Sequence, residues 1–183
     1  MNKTINLSDN LSGRLQMNII HEICLLAKDD NSLKEEIYNL AMGTNERIAY
    51  NALWILSHFD SAATKWLCQK QNEIIDHAIS ENHVGKRRLL LSLLNNQPFH
   101  EDSLRTDFID FCISKIPSAI EPYAIRALCM KLAYEQCKFY PELLAELNTC
   151  LDMLSQEPLS PALKSTRKNI MKKITHKCPS LAL

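Results

Sequence analysis

Four arginines, Arg47, Arg87, Arg126 and Arg167, recur 40, 39 and 41 residues apart, and each opens an apolar, helix-period segment: RIAYNALWIL, RRLLLSLL, RALCMKLA and RKNIMKKI. A guanidinium is a planar, permanently charged donor that holds a carboxylate, a phosphate or backbone carbonyls. Two kinds of chemistry fit the pattern: a row of anion-binding groups, or an internal bond from one unit to its neighbour. Six residues after the first three arginines comes a leucine (Leu53, Leu93, Leu132), and the fourth reaches Ile174 one position later. Self-similarity at a period of 20–50 residues marks stacked repeats.

A second basic feature lies near the C-terminus. Lys164, Lys168 and Lys172 form an i, i+4, i+8 row joined by Arg167 and Lys173, and no acidic residue follows Glu157. The row fits a phosphate-bearing or acidic partner, with steep salt dependence. It also fits a solvated last helix whose cations complement its own C-terminal dipole. Lys86, Arg87 and Arg88 form too short a run to specify a ligand. Metal chemistry has little support: His77, His83 and the His58/Asp60 pair match no ligand spacing. No metal and no cofactor are expected. The seven cysteines form no CxxC pair and sit mostly on apolar faces (Cys24, Cys112, Cys129, Cys137), so buried, reduced thiols are expected. None has an activating context. Glu73/Asp76 and Asp107/Asp110, at i, i+3 spacing, read as ordinary solvated carboxylates.

The elements that carry these residues are helices. Only three glycines occur, which leaves little material for hairpins or phosphate-cradling loops, and four of the prolines (Pro98, Pro117, Pro141, Pro161) stand where turns belong. The periodicity predicts an opening helix near 9–28 and four helix pairs. The first members cover 31–43, 69–80, 102–116 and 141–155; the arginine-bearing second members cover 45–59, 85–96, 119–138 and 160–176. The first members also echo one another: IDHAIS (75–80) and IDFCIS (109–114) match at four of six positions. Asp102 or Ser103 and Ser160 fit N-caps, with Pro161 and Pro141 at first helical positions. Residues 60–68 read as a short extra helix or turn, and Arg14 as part of a degenerate forerunner of the ladder. The whole chain, 1–183, is expected to be a single domain. Residues 1–13 hold no apolar run of the kind a signal peptide needs, 89–94 is too short to span a bilayer, and the C-terminal KCPSLAL is not a prenylation signal. No membrane association and a cytoplasmic location are expected.

With the ladder in place, the chain resembles the HEAT-like repeats of the armadillo-type α-solenoid superfamily over roughly 9–176. The second helix of such a repeat carries an Arg, a small residue soon after and a Leu further on, as in Arg47-Ile-Ala49-Tyr-Asn-Ala52-Leu53 and Arg126-Ala127-Leu128. The resemblance implies an all-α, right-handed α-α superhelix with repeats near 9–28, 31–59, 69–96, 102–138 and 141–176. It also implies that the arginine-bearing helices line a concave surface. Counted over 45–59, 85–96, 119–138 and 160–177 those helices carry a net +10, against −8 over 31–43, 69–80, 101–116 and 141–157 on their partners, although the total charge is zero.

At 100° per residue, Arg47, Tyr50, Trp54 and His58 fall opposite the apolar face of their helix. Tyr123, Arg126, Met130 and Tyr134 make a comparable line. Trp, Tyr and Arg dominate interface hot spots, so both lines, with Arg87, Arg88, Lys164, Arg167 and Lys168, are candidate binding residues. The alternative is that they pack between helices. The functional expectation is a non-catalytic scaffold for a protein or peptide partner, acidic in character. The alternative is nucleic-acid binding, as in the HEAT-like alkylpurine DNA glycosylases, without a match to their catalytic residues. An all-helical lyase of the fumarase and aspartase type is a third class, and the Ser- and Gly-rich loop of those enzymes is missing.

Overall fold

The computed structural model describes residues 7–156 and 158–179, apart from the side chain of Gln156. The readings that rest on residues 1–6, Glu157 and 180–183 lie outside the described residues. The chain is all-α, with no strand among the described residues, and divides into two compact units, 1–97 and 98–183.

The first unit holds α1 (Leu7–Ser12), α2 (Met17–Ala27), α3 (Asn31–Ala41), α4 (Glu46–Leu56), α5 (Ser61–Leu67), α6 (Gln71–Ser80) and α7 (Val84–Asn95). Short connections fold α3 back on α4 and α6 back on α7. The central helix, α4, packs against α1, α2, α3 and α7. It buries Ala49, Ala52, Leu53, Ile55 and Leu56, and each large aliphatic side chain so enclosed contributes about 1.5–3 kcal/mol. On the outer helices, Tyr38 donates to Glu73 at 3.0 Å and Lys70 meets Glu35 at 2.9 Å, which ties α3 to α6.

The opening helix differs from its expected form. It is two helices, broken at 13–16, where Gln16 is extended (φ −105°, ψ 151°) and Leu15 turns inward. The break is held from α4: Asn51 Nδ2 donates to the Leu11 carbonyl at 2.8 Å and to the Gly13 carbonyl at 3.0 Å. A buried amide side chain thus takes up backbone groups that a continuous helix would have paired internally.

The second unit holds α8 (Thr106–Lys115), α9 (Tyr123–Cys137), α10 (Pro141–Met153) and α11 (Pro161–Lys177). Here α9 is central, packed by α8, α10 and α11. It is buried on most sides, with Ile125, Cys129, Met130, Leu132, Ala133 and Cys137 enclosed. The IDHAIS and IDFCIS segments occupy equivalent positions: Ile75 and Ala78 on α6 are buried as Ile109 and Cys112 are on α8. Helix α9 starts at Tyr123 rather than near 119, because Pro122 holds an extended backbone (φ −56°, ψ 144°) before it.

Two expected caps come out differently. Ser160 does cap α11: its Oγ accepts from the Leu163 N–H at 3.3 Å, with Pro161 in the first turn. Asp102 and Ser103 do not cap α8. They form a 3₁₀ turn at Glu101–Ser103, Leu104 and Arg105 are extended, and the helix begins at Thr106. The Phe108 N–H goes instead to Asp107 Oδ1 at 3.0 Å. Ser160→Ala is therefore expected to cost about 1 kcal/mol in urea denaturation. Asp102→Ala is expected to stay within about 0.5 kcal/mol of the parent chain.

Candidate functional site

Arg47, Arg87 and Arg126 stand in the first turn of their helices and Arg167 in the second turn of α11, and each donates to a carbonyl at or just past the end of an earlier helix. Arg126 Nε donates to the Ile116 carbonyl, the C-cap of α8, at 2.7 Å. Arg87 Nη2 donates to the carbonyl of Glu81, the C-cap of α6. Arg167 Nε donates to the Leu151 carbonyl in the last turn of α10, and its Nη2 meets Asp152 Oδ1 at 3.3 Å. Arg47 makes the longest contact, Nε to the Gly13 carbonyl just past α1, at 3.4 Å. The last carbonyls of a helix have no intrahelical partner, and its C-terminus carries partial negative charge. A guanidinium answers both conditions. Arg126 and Arg87 are buried, at 3 % and 9 % exposure, whereas Arg47 is open to solvent.

Two inter-helix glutamates extend this arrangement, and the sequence reading missed both. Glu81 accepts from the His83 N–H at 2.7 Å and meets Lys86 Nζ at 2.8 Å, so its carboxylate joins α6 to the first turn of α7. Burial opposes its ionisation. The Lys86 ammonium and the backbone N–H donors outweigh that and hold the carboxyl below the usual carboxylate range. Glu121, 8 % exposed, meets Lys115 Nζ at 2.8 Å across the α8–α9 turn. The available signal was an acidic residue six positions before Arg87 and five before Arg126.

The first aromatic line stays together. Arg47, Tyr50 and Trp54 border an open groove of about 780 Å³ in the first unit, with Arg14, His83 and Gly85. Tyr50 and Trp54 are half-buried, and Arg14 and Arg47 are exposed. His83 closes one side. Its Nδ1 accepts from the Lys86 N–H at 3.1 Å, which places the proton of the neutral ring on Nε2, 3.1 Å from Glu46. Its ring meets Tyr50 edge-on at 6.1 Å. Gly85 permits this approach, because a Cβ there would sit 3.0 Å from both rings. His58 lies beyond the groove, bonded to the Trp54 carbonyl at 2.8 Å and edge-on to its ring. Trp66 packs edge-on against Tyr38.

The second line does not reach the surface as a line. Tyr123 is 53 % exposed, but Arg126, Met130 and Tyr134 are enclosed at 3 %, 0 % and 9 %. Helix α9 packs against three neighbours and has no free face at these positions. Lys173 Nζ lies 5.1 Å from the Tyr134 ring centroid. Arg88 is exposed beside the enclosed Arg87, and Lys164 and Lys168 are exposed on either side of Arg167. These two lysines border a second groove, described below.

Burial governs the thiols. It pushes Cys24 up to about 11 and Cys137 up to about 12, and raises Cys112 well above the usual thiol range with the Cys129 thiol beside it. A thiol held protonated in this way is a poor nucleophile. Among the described residues no group of three His, Cys, Asp or Glu side chains is arranged to hold a metal ion. No described helix is long and apolar enough to cross a membrane.

A family model described as a HEAT repeat domain matches residues 7–174. No curated protein and no solved structure matches the chain.

Arg126→Met is expected to cost about 2–3 kcal/mol in urea denaturation, since it leaves the Ile116 carbonyl without its charged donor in a buried site. Arg47→Met, exposed and with a longer contact, is expected to cost less than about 1 kcal/mol. Because the folded-state pKa of Glu81 is depressed, its contribution is complete above the ordinary value of about 4.3 and is lost as pH falls through the depressed one. Stability measured from pH 7 down to pH 2 should therefore fall less steeply in Glu81→Gln than in the parent chain.

Proposed function

This chain belongs to the HEAT repeat family, and we propose that it works as a scaffold that holds a protein or peptide segment in the groove of its first unit. One observation carries the reading: Tyr50 and Trp54 lie side by side along that groove, half-exposed, instead of being enclosed between helices. Aromatic side chains of this kind supply large contact area with few torsions to fix, and they anchor binding hot spots. Arg14 and Arg47 flank them, while Glu46 on the lining faces His83, so a carboxylate-bearing segment fits the arginine side of the groove. Arg47, Tyr50 and Trp54 stand on one helix, α4, which lowers the ordering cost of binding. The pattern calls for recognition without bond-making: among the described residues no Cys, Ser, Thr or Lys lines the groove, and burial holds the Cys24 and Cys137 thiols protonated elsewhere.

A displayed random-peptide library selected on the full chain tests this reading. Enriched peptides should carry acidic and apolar residues, and Trp54→Ala should weaken their binding by at least about tenfold, the range expected for an aromatic anchor. Arg47→Glu should weaken acidic peptides more than neutral ones. Enrichment that survives both substitutions, or no enrichment from the parent chain, would refute the groove as the binding site.

A further inference from the structure

We propose that the groove between the end of α10 and the face of α11, in the second unit, docks an acidic amphipathic helix. This site is separate from the first-unit groove and shares with the proposed function only the premise that the chain binds protein segments. The groove encloses about 740 Å³. Its floor is apolar, built from Leu154, Leu159 and Met171, and its wall is the row Lys164, Lys168 and Lys172.

Among the described residues, the titratable side chains lining the groove, Lys164, Arg167, Lys168, Lys172 and His176, are all basic. Arg167 is already engaged with the Leu151 carbonyl and Asp152. Helix α11 lays two further cations on rings of its own unit, Lys173 over Tyr134 and Lys177 over Phe139. Lys164, Lys168 and Lys172 are exposed and meet no acidic side chain among the described residues. Self-stabilisation of the helix does not explain the row. Cations help at a helix C-terminus, but Lys164 stands in the first turn of α11, where the macrodipole opposes it.

Register and floor together select the occupant. Lysines four residues apart on a helix are about 6 Å apart along its axis. Carboxylates at i and i+4 on a second helix laid alongside have the same interval. The apolar positions of that helix, at i, i+3 or i+4, and i+7, would then face Leu154, Leu159 and Met171. A nucleic-acid strand makes poorer use of the site: its phosphates suit the lysines, but among the described residues the lining has no Phe, Tyr or Trp on which bases stack.

The test uses the full chain and a fluorescent helical peptide of 18–21 residues in order of magnitude, about five turns, with Leu at the groove-facing positions and Glu beside them. Fluorescence anisotropy should show binding that weakens with salt. Lys168→Glu/Lys172→Glu, both at exposed positions, should weaken it by about tenfold or more. A charge-reversed peptide, with Lys in place of Glu, should fail on the parent chain and bind the double variant. Met171→Asp should weaken the acidic peptide while circular dichroism melts remain cooperative. Trp54→Ala should leave acidic-peptide binding unchanged, so failure here leaves the first-unit groove standing. The proposal is overturned if the two peptides bind the parent chain alike, or if the double variant binds the acidic peptide as the parent does. It is equally overturned if a single-stranded oligonucleotide binds more tightly than the peptide and loses that binding in the double variant.

Discussion

A helix that stops leaves its last carbonyls without N–H partners, and inside a stack of helices water cannot reach all of them. Here a guanidinium from the next arginine-bearing helix supplies a donor at Glu81, Ile116 and Leu151, and Arg47 adds a longer contact to the Gly13 carbonyl that Asn51 already bonds. The bond needs a positive group near the start of one helix and the end of another close by. A short turn provides both. In the second unit the Ile116–Arg126 bond spans only the α8–α9 turn, and Glu121 stands within that turn to pair with Lys115.

That constraint decides which polar groups remain available. The buried arginines, although they are the most regular feature of the chain, are engaged by backbone carbonyls. Surface chemistry falls to residues beside them: Tyr50 and Trp54 along one groove, and the Lys164, Lys168 and Lys172 row along another. The same division explains the two aromatic lines. On α4 the line borders a groove, whereas on α9 packing by α8, α10 and α11 encloses Met130 and Tyr134. Identical spacing on two helices gives opposite exposure because the neighbours of α9 enclose Arg126, Met130 and Tyr134, whereas those of α4 leave Tyr50 and Trp54 half-open.

Much of the fold was legible in the sequence. The arginine period and the IDHAIS/IDFCIS echo located all four helix pairs, and Ser160-Pro161 located a helix start to the residue. What failed was local. The break at 13–16 depends on Asn51, 38 residues away from Gly13, and no window of periodicity contains both. Asp102 and Ser103 have capping side chains, but Leu104 and Arg105 extend and Asp107 takes the first-turn amide. The candidate groove was half legible. Helical phase put Arg47, Tyr50 and Trp54 on one side, but it held no information on His83 and Gly85, which complete the groove from α7. Exposure on α9 was not legible at all, since it depends on which helices come to lie against it.

The ladder arginines act as helix-end clamps, donating to carbonyls where earlier helices stop. Hydrogen–deuterium exchange, compared between the parent chain and Arg126→Met under native conditions, tests this role most directly. The clamp predicts that protection falls at the last turn of α8, around Cys112–Ile116, and at the first turn of α9, with the α10 and α11 amides little changed. Exchange at 112–116 that matches the parent chain would contradict it, because the Ile116 carbonyl would then not depend on the guanidinium.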